Sequence, residues 1–306
     1  MPVASGENTQ VSTIDQTLVQ TAKESLDNEV TDYALYNTLA ANTKDPALSE
    51  TFKHLAAMEQ KHVQFWQKYV PDYKPAPNSS LIRRVLLLKR LFGLTFAIRY
   101  LERLEEKAIK SYESIAQLIP SPDMKAFDEM LEDERLHEGE FSSRTESSTI
   151  RYISFVVLGL ADALVEISGI HAGSLGIYDK TEIAGLAGII AGAAASLAMA
   201  SAAYAQAKQG FKGSASISAA YTGISYFVTA VVLATPYFLT HSQPLALGVS
   251  LALAVTIVTL ATYYSSVISS KPFLRDFIEI LGILLAVTAA LYLFGSFIRL
   301  ETGITV

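Results

Sequence analysis

The sequence predicts an all-α chain made of two consecutive bundles: a charged four-helix bundle, then a five-helix transmembrane bundle. Three observations carry this. Of the 54 Asp, Glu, Lys and Arg residues, 41 lie before residue 152. Long apolar runs follow, giving a composition that is 50% hydrophobic, too high for an ordinary soluble domain. Short breaks marked by proline or polar residues cut both halves into helix-length pieces. A chain of 306 residues accommodates two such domains.

Residues 1–12 show no apolar periodicity and are expected to form a flexible N-terminus. MPVASGENTQ contains no apolar h-region, so no cleaved signal peptide is expected. The domain at 13–141 opens with a helix over 13–42, where Leu18, Ala22, Leu26, Val30, Tyr33, Leu35 and Leu39 recur at helical spacing. Pro46 starts a second helix over 46–69, antiparallel to the first across a short turn. PDYKPAPNSS then breaks the chain. A long helix is expected from Leu81 to Ile119, bent near Gly93 and stopped by Pro120 and Pro122. A fourth runs over 123–141, and the long link between helices two and three suits a bundle whose halves are joined by a crossover. Residues 142–149 form a linker to the membrane domain at 150–306.

One motif set dominates the first half: Glu29, Glu59-x-x-His62, Glu105 and Glu134-x-x-His137. Each half of the bundle supplies a lone Glu, and Glu-x-x-His follows thirty and twenty-nine residues later. A single Glu-x-x-His is common on solvated helices. Two, each preceded by Glu at a matching distance, give the layout of a dinuclear carboxylate site. Residues three apart on a helix share a face, so each Glu/His pair can hold one ion while the lone Glu residues bridge. Mixed carboxylate and imidazole donors suit iron, with manganese also admitted. Tyr36 and Tyr112 follow Glu29 and Glu105 by seven residues, two turns along, where they can cap the site or hydrogen-bond a ligand. Glu105 is preferred over Glu106 because of this step. Glu102, Glu106, Glu132, Glu138 and Glu140 are expected on a solvated face or in salt bridges, and His54 is expected to be structural.

LIRRVLLLKRLFGL, at Leu81–Leu94, combines apolar bulk with Arg83, Arg84, Lys89 and Arg90. A basic amphipathic helix can lie on an anionic membrane surface. Alternatively, Leu86, Leu87 and Phe92 pack the bundle or a dimer contact.

On these motifs, residues 13–141 resemble the ferritin-like, rubrerythrin-type family. The resemblance implies a carboxylate-bridged di-iron centre that reacts with dioxygen or peroxide. The chain departs from that family in two ways. It has no Cys, which excludes a rubredoxin-type iron site as well as disulfides. It also has Ala108 where the family carries a further Glu, three residues after the lone Glu of helix three.

Five apolar segments long enough to span follow, near 150–177, 182–206, 217–239, 244–268 and 273–299. Arg144, Arg151, Lys208, Lys212, Lys271 and Arg275 fall on one side of them, Lys180 and Arg299 on the other. This places the first domain in the cytoplasm and the C-terminus outside. Asp162 and Glu166, four residues apart in the first span, are costly in lipid and are expected to face a cavity or a partner. The small residues of the second span allow close helix approach, and Met199 among them offers either packing or a soft thioether ligand.

On GLADALVEISG, SLAMASAAY, Pro236 and the glycines Gly282 and Gly295, residues 150–300 resemble the vacuolar iron transporter family. The resemblance implies a homodimer with a pore between subunits that exchanges Fe²⁺ for H⁺. Asp162 then matches the acidic residue of the first span, and Met199 the pore methionine. Ala202 and Ala203 replace the family's Gly-Glu, and KQGFKGS replaces its metal-binding insert. The whole chain thus resembles membrane-bound ferritins. The expected function is export of Fe²⁺, with Mn²⁺ also admitted, from the cytoplasm across the plasma membrane by proton exchange. Its partners are these ions, membrane lipid and a second copy. The bundle would collect, sense or oxidise iron. The alternative is a tethered ferroxidase or peroxidase anchored by its spans. A net charge of −6 and the lack of a basic patch with interleaved aromatics argue against nucleic acid.

Overall fold

The computed structural model describes residues 7–144, 148–269 and 271–303, and gives only the backbone of 7–15, 136–144 and 148–150. Every regular element among them is helical, and the chain divides into two compact units, Met1–Thr145 and Glu146–Val306.

The first unit is a ferritin-like helical domain containing α1 (Glu7–Ala41), α2 (Pro46–Gln67), α3 (Ser79–Phe92), α4 (Leu94–Ile115) and α5 (Met124–Arg144). α1 begins before the apolar stripe does, because polar helix formers extend a helix without needing a packing partner. α2 starts where Pro46 supplies a preset φ and the Asp45 carboxylate accepts the N–H groups of Ala47 and Leu48, at 2.9 and 3.3 Å. The expected bent helix over 81–119 is two helices instead. Gly93 adopts φ +88°, a left-handed value that glycine takes without steric cost, and the chain turns there. α4 then gives way to a 3₁₀ turn, Ala116–Leu118, ahead of Pro120.

Two apolar cores build this unit. One joins Leu18, Ala22 and Leu26 of α1 to Phe65 and Trp66 of α2, Ile109 and Tyr112 of α4, and Phe127 and Met130 of α5. The other joins Leu35 and Leu39 to Phe52 and Leu55, to Leu101 of α4 and to Val85 of α3. α3 thus helps to close this second core. Its Val85 and Leu88 are buried, while Leu87 and Leu91 are 54% and 63% exposed, so Leu87 does not pack the bundle. The polar stretch of α1 between Leu26 and Leu35 falls between the two cores, as does that of α2 between Ala56 and Phe65.

The second unit contains α6 (Ser148–Ile177), α7 (Thr181–Ala207), α8 (Ala215–Leu239), α9 (Gln243–Ser269) and α10 (Phe273–Thr302). All five are long and apolar enough to cross a membrane, and the unit is that of an integral membrane protein. α6 is central and packs against the other four. Its Ala163, Leu164 and Ile167 form a core with Tyr226, Leu233, Ala254, Val258 and Leu284. Small residues permit the close crossings: a Cβ on Gly295 would lie 2.1 Å from the Gly173 carbonyl oxygen. Gly282 has open space around it. Arg299 pairs with Asp179 at 2.8 Å, so the C-terminal ends of α6 and α10 lie together.

Candidate metal centre

The first unit gathers Glu29, Glu59, His62 and Glu134 from α1, α2 and α5. One donor atom of each lies within 4.8 Å of all the others, and all four residues are buried. The Nδ1 of His62 stands 3.4 Å from Glu29 Oε2, 3.3 Å from Glu59 Oε2 and 3.2 Å from Glu134 Oε1. Its Nε2 is 3.7 Å from Asp133. Glu105 of α4 lies outside this tight group, yet it is buried and its Oε1 accepts the Tyr36 hydroxyl. Tyr112 in turn donates to Glu29 Oε1 at 2.5 Å. Each tyrosine thus bonds the lone Glu of the other half of the bundle. The side chain of His137 lies outside the described residues, as do those of Glu138 and Glu140.

Crowding carboxyl groups in a dry interior sets the electrostatics. Burial pushes Glu59 well above the usual carboxylate range; His62 offsets this in part, while Glu134 and Glu29 add to it. Glu105 is pushed up to about 8 by burial and by the charge of Glu134. Burial and the same pressures raise Glu134. Glu29 is lowered despite burial, because His62 and Tyr112 bond its charged form. Burial disfavours a charged His62, but Glu134, Glu29 and Glu59 together raise it above the ordinary histidine range. One imidazole cannot neutralise this many carboxylates, and divalent cations would. The Oε2 of Glu105 is buried with no hydrogen-bond partner, an acceptor waiting for a Lewis acid. This donor chemistry is compatible with a dinuclear iron-type site.

The rejected neighbours divide. Glu106 is exposed and pairs with Lys110 at 2.8 Å, and exposed Glu132 lies 4.0 Å from Arg135. Glu102 is buried rather than solvated, and Arg99 pairs with it at 2.9 Å. His54 is exposed. Asp32 was not anticipated. It lies three residues after Glu29, and burial together with the charges of Glu105, Glu29 and Glu134 raises its pKa well above the ordinary value. The Glu29–Asp32 spacing was the available signal, since it repeats the i, i+3 rule used for Glu59 and His62.

In the second unit, Asp162 is half-buried and Glu166, one turn on, is exposed on the single chain. Tyr226 of α8 is fully buried and donates to Glu166 Oε2 at 2.5 Å. Met199 packs partly against the core containing Tyr226. His171 is fully buried with its ring 4.3 Å from that of Tyr237, and neither of its nitrogens has a hydrogen-bond partner. Asp276 and Glu279 of α10 line a separate cavity with Lys271 and Thr262.

Residues 23–144 match the family model described as Rubrerythrin. No curated protein and no solved structure matches the chain.

Proposed function

We propose that this chain is an Fe²⁺ transporter that exports metal from the cytoplasm in exchange for protons, fed by a dinuclear metal centre in its first unit. The observation that carries this reading is one chain holding both a buried Glu/His cluster and five spans, with Asp162 and Glu166 a turn apart on the central one. Glu29, Glu59, His62, Glu105, Glu134 and His137 would hold the centre. Its donors suit iron, and manganese second. Iron bound there supplies redox chemistry toward dioxygen or peroxide. The two tyrosines fix the lone carboxylates in place, and the apolar cores on either side keep bulk water out. In the membrane, Asp162, Glu166 and Met199 form the path. Protons and Fe²⁺ compete for the same carboxylate oxygens, so protonation from outside releases the cation. Glu166 is exposed on the single chain, and an intramembrane carboxylate needs a cover. A second copy supplies it, which favours a homodimer with the path at its interface. The basic connectors favour a cytoplasmic first unit under the positive-inside rule, and export across the plasma membrane fits that reading.

Fe²⁺ flux into proteoliposomes under an imposed pH gradient tests the reading. The intact protein should drive flux that follows the gradient, and Asp162→Asn should abolish it. Retained flux in the variant overturns the assignment. A second reading, a tethered di-iron oxidase or peroxidase, draws on the Rubrerythrin match of residues 23–144. Metal bound to the first unit with no flux above empty liposomes selects it.

A further inference from the structure

A cavity of about 280 Å³ opens on the first unit between α1 and α4. Asn28, Lys107 and Ser111 are exposed at its rim; Asp32, Ala108 and Glu105 lie deeper in its lining. It is large enough for several waters, at about 30 Å³ each, and so for a hydrated cation. Glu105 is more than nine-tenths buried, and its Oε2 has no hydrogen-bond partner. Glu105 thus belongs both to the lining of this cavity and to the candidate centre, and its unsatisfied oxygen is buried rather than open to solvent. Asp32 stands on the way. It follows Glu29 by three residues on α1, as Ala108 follows Glu105 by three on α4, and the two line the same space. The methyl group of Ala108 leaves room there, and Asp32 supplies the carboxylate that position 108 does not.

We propose that Asp32 anchors a weak divalent-cation site in this cavity, from which the ion passes to Glu105 and on to the dinuclear centre. The site uses hard oxygen donors, namely the Asp32 carboxylate, one Glu105 oxygen and water, and so takes a hydrated first-row cation in transit. The carboxylates of Glu29, Glu105 and Glu134 concentrate negative potential at its inner end and draw a cation inward. Lys107 sits at the exposed rim, where solvent and salt screen its charge.

The inference rests on the dinuclear reading above, and Co²⁺ separates the two. Full-length protein in detergent is titrated with Co²⁺ by equilibrium dialysis, and uptake is followed by stopped-flow visible absorbance. Intact protein should hold the tightly bound pair and one weaker ion. Asp32→Asn should lose the weak ion, keep the tight pair and load it about tenfold more slowly. Adding Ala108→Glu to that variant restores a carboxylate from the facing helix and should restore the rate, which a merely structural role for Asp32 would not allow. Equal loading rates and equal counts in intact protein and Asp32→Asn overturn the inference and leave the dinuclear reading standing. So does loss of the tight pair itself in Asp32→Asn. Intact protein that binds no Co²⁺ overturns both.

Discussion

Tyr112 of α4 donates its hydroxyl to Glu29 of α1 at 2.5 Å, and Tyr36 of α1 returns the same contact to Glu105 of α4. The two helices of the lone carboxylates are thereby cross-linked through the candidate centre. Both tyrosines are 2% exposed, so neither bond is shared with bulk water. Replacing Tyr112 with Phe removes one hydrogen bond to a charged acceptor, worth about 1.5–3 kcal/mol. Metal affinity at the centre should fall about 10–100-fold, the usual effect of losing a group that orients a ligand. Competitive titration with a chelator measures it. An unchanged affinity would show that Glu29 needs no help from Tyr112.

The metal-free protein should lose stability as pH rises. Glu105 has an ordinary value of 4.5 and is pushed up to about 8 in the fold. The folded state therefore binds this proton more tightly than the unfolded state does. Its contribution is full below about pH 4.5 and declines as pH climbs toward 8, with a slope of up to about 1.4 kcal/mol per pH unit for one proton. Denaturant unfolding of the first unit's helices between pH 5 and 9 should show this decline. Glu105→Gln, which carries no titratable proton, should flatten it. Bound metal takes the proton's place, so the metal-loaded protein should vary less across the same window.

Periodicity and spacing were sufficient to read the fold class, the five helices long and apolar enough to span, and the burial of Glu29, Glu59, His62 and Glu134. These follow from the 3.6-residue repeat and from apolar length, which are local properties. Three features were not local. Gly93 reads as a bend from sequence, and only its positive φ turns the bend into a break. Glu102 carries the same residue type as exposed Glu106, and its burial is decided by which side of α4 meets the core. Asp32 resembles any polar helix residue until the cavity it shares with Glu105 is seen.

Gly188 of α7 should tolerate no side chain while His171 is present. A Cβ there would lie 2.0 Å from His171 Nε2, so α7 can approach α6 only over a bare glycine. Gly188→Ala should lower thermal stability in detergent, with overpacking costing about 1–3 kcal/mol. Adding His171→Ala removes the obstructing ring and should recover most of the loss. Gly295→Ala offers a control, because its Cβ would meet the backbone oxygen of Gly173 at 2.1 Å and trimming a side chain cannot relieve that. Failure of His171→Ala to recover Gly188→Ala would mean the cost lies elsewhere in the crossing.

Tyr226 should matter to transport through Glu166 alone. It is fully buried on α8, and its hydroxyl reaches Glu166 Oε2 at 2.5 Å, whereas Glu166 is exposed on the single chain. The bond holds a carboxylate that otherwise has several rotamers open to it. Tyr226→Phe keeps the buried ring and its packing, so the fold should survive. The lost bond, about 1.5–3 kcal/mol in the membrane interior, frees Glu166 from the position it holds on the proposed path. Fe²⁺ flux in proteoliposomes should then fall about 10–100-fold, since each 1.4 kcal/mol is a factor of ten. Glu166→Gln should lower it further, and the double variant should be no worse than Glu166→Gln, because the tyrosine acts only through the carboxylate. A double variant clearly below Glu166→Gln would instead give Tyr226 a direct contact with the transported ion.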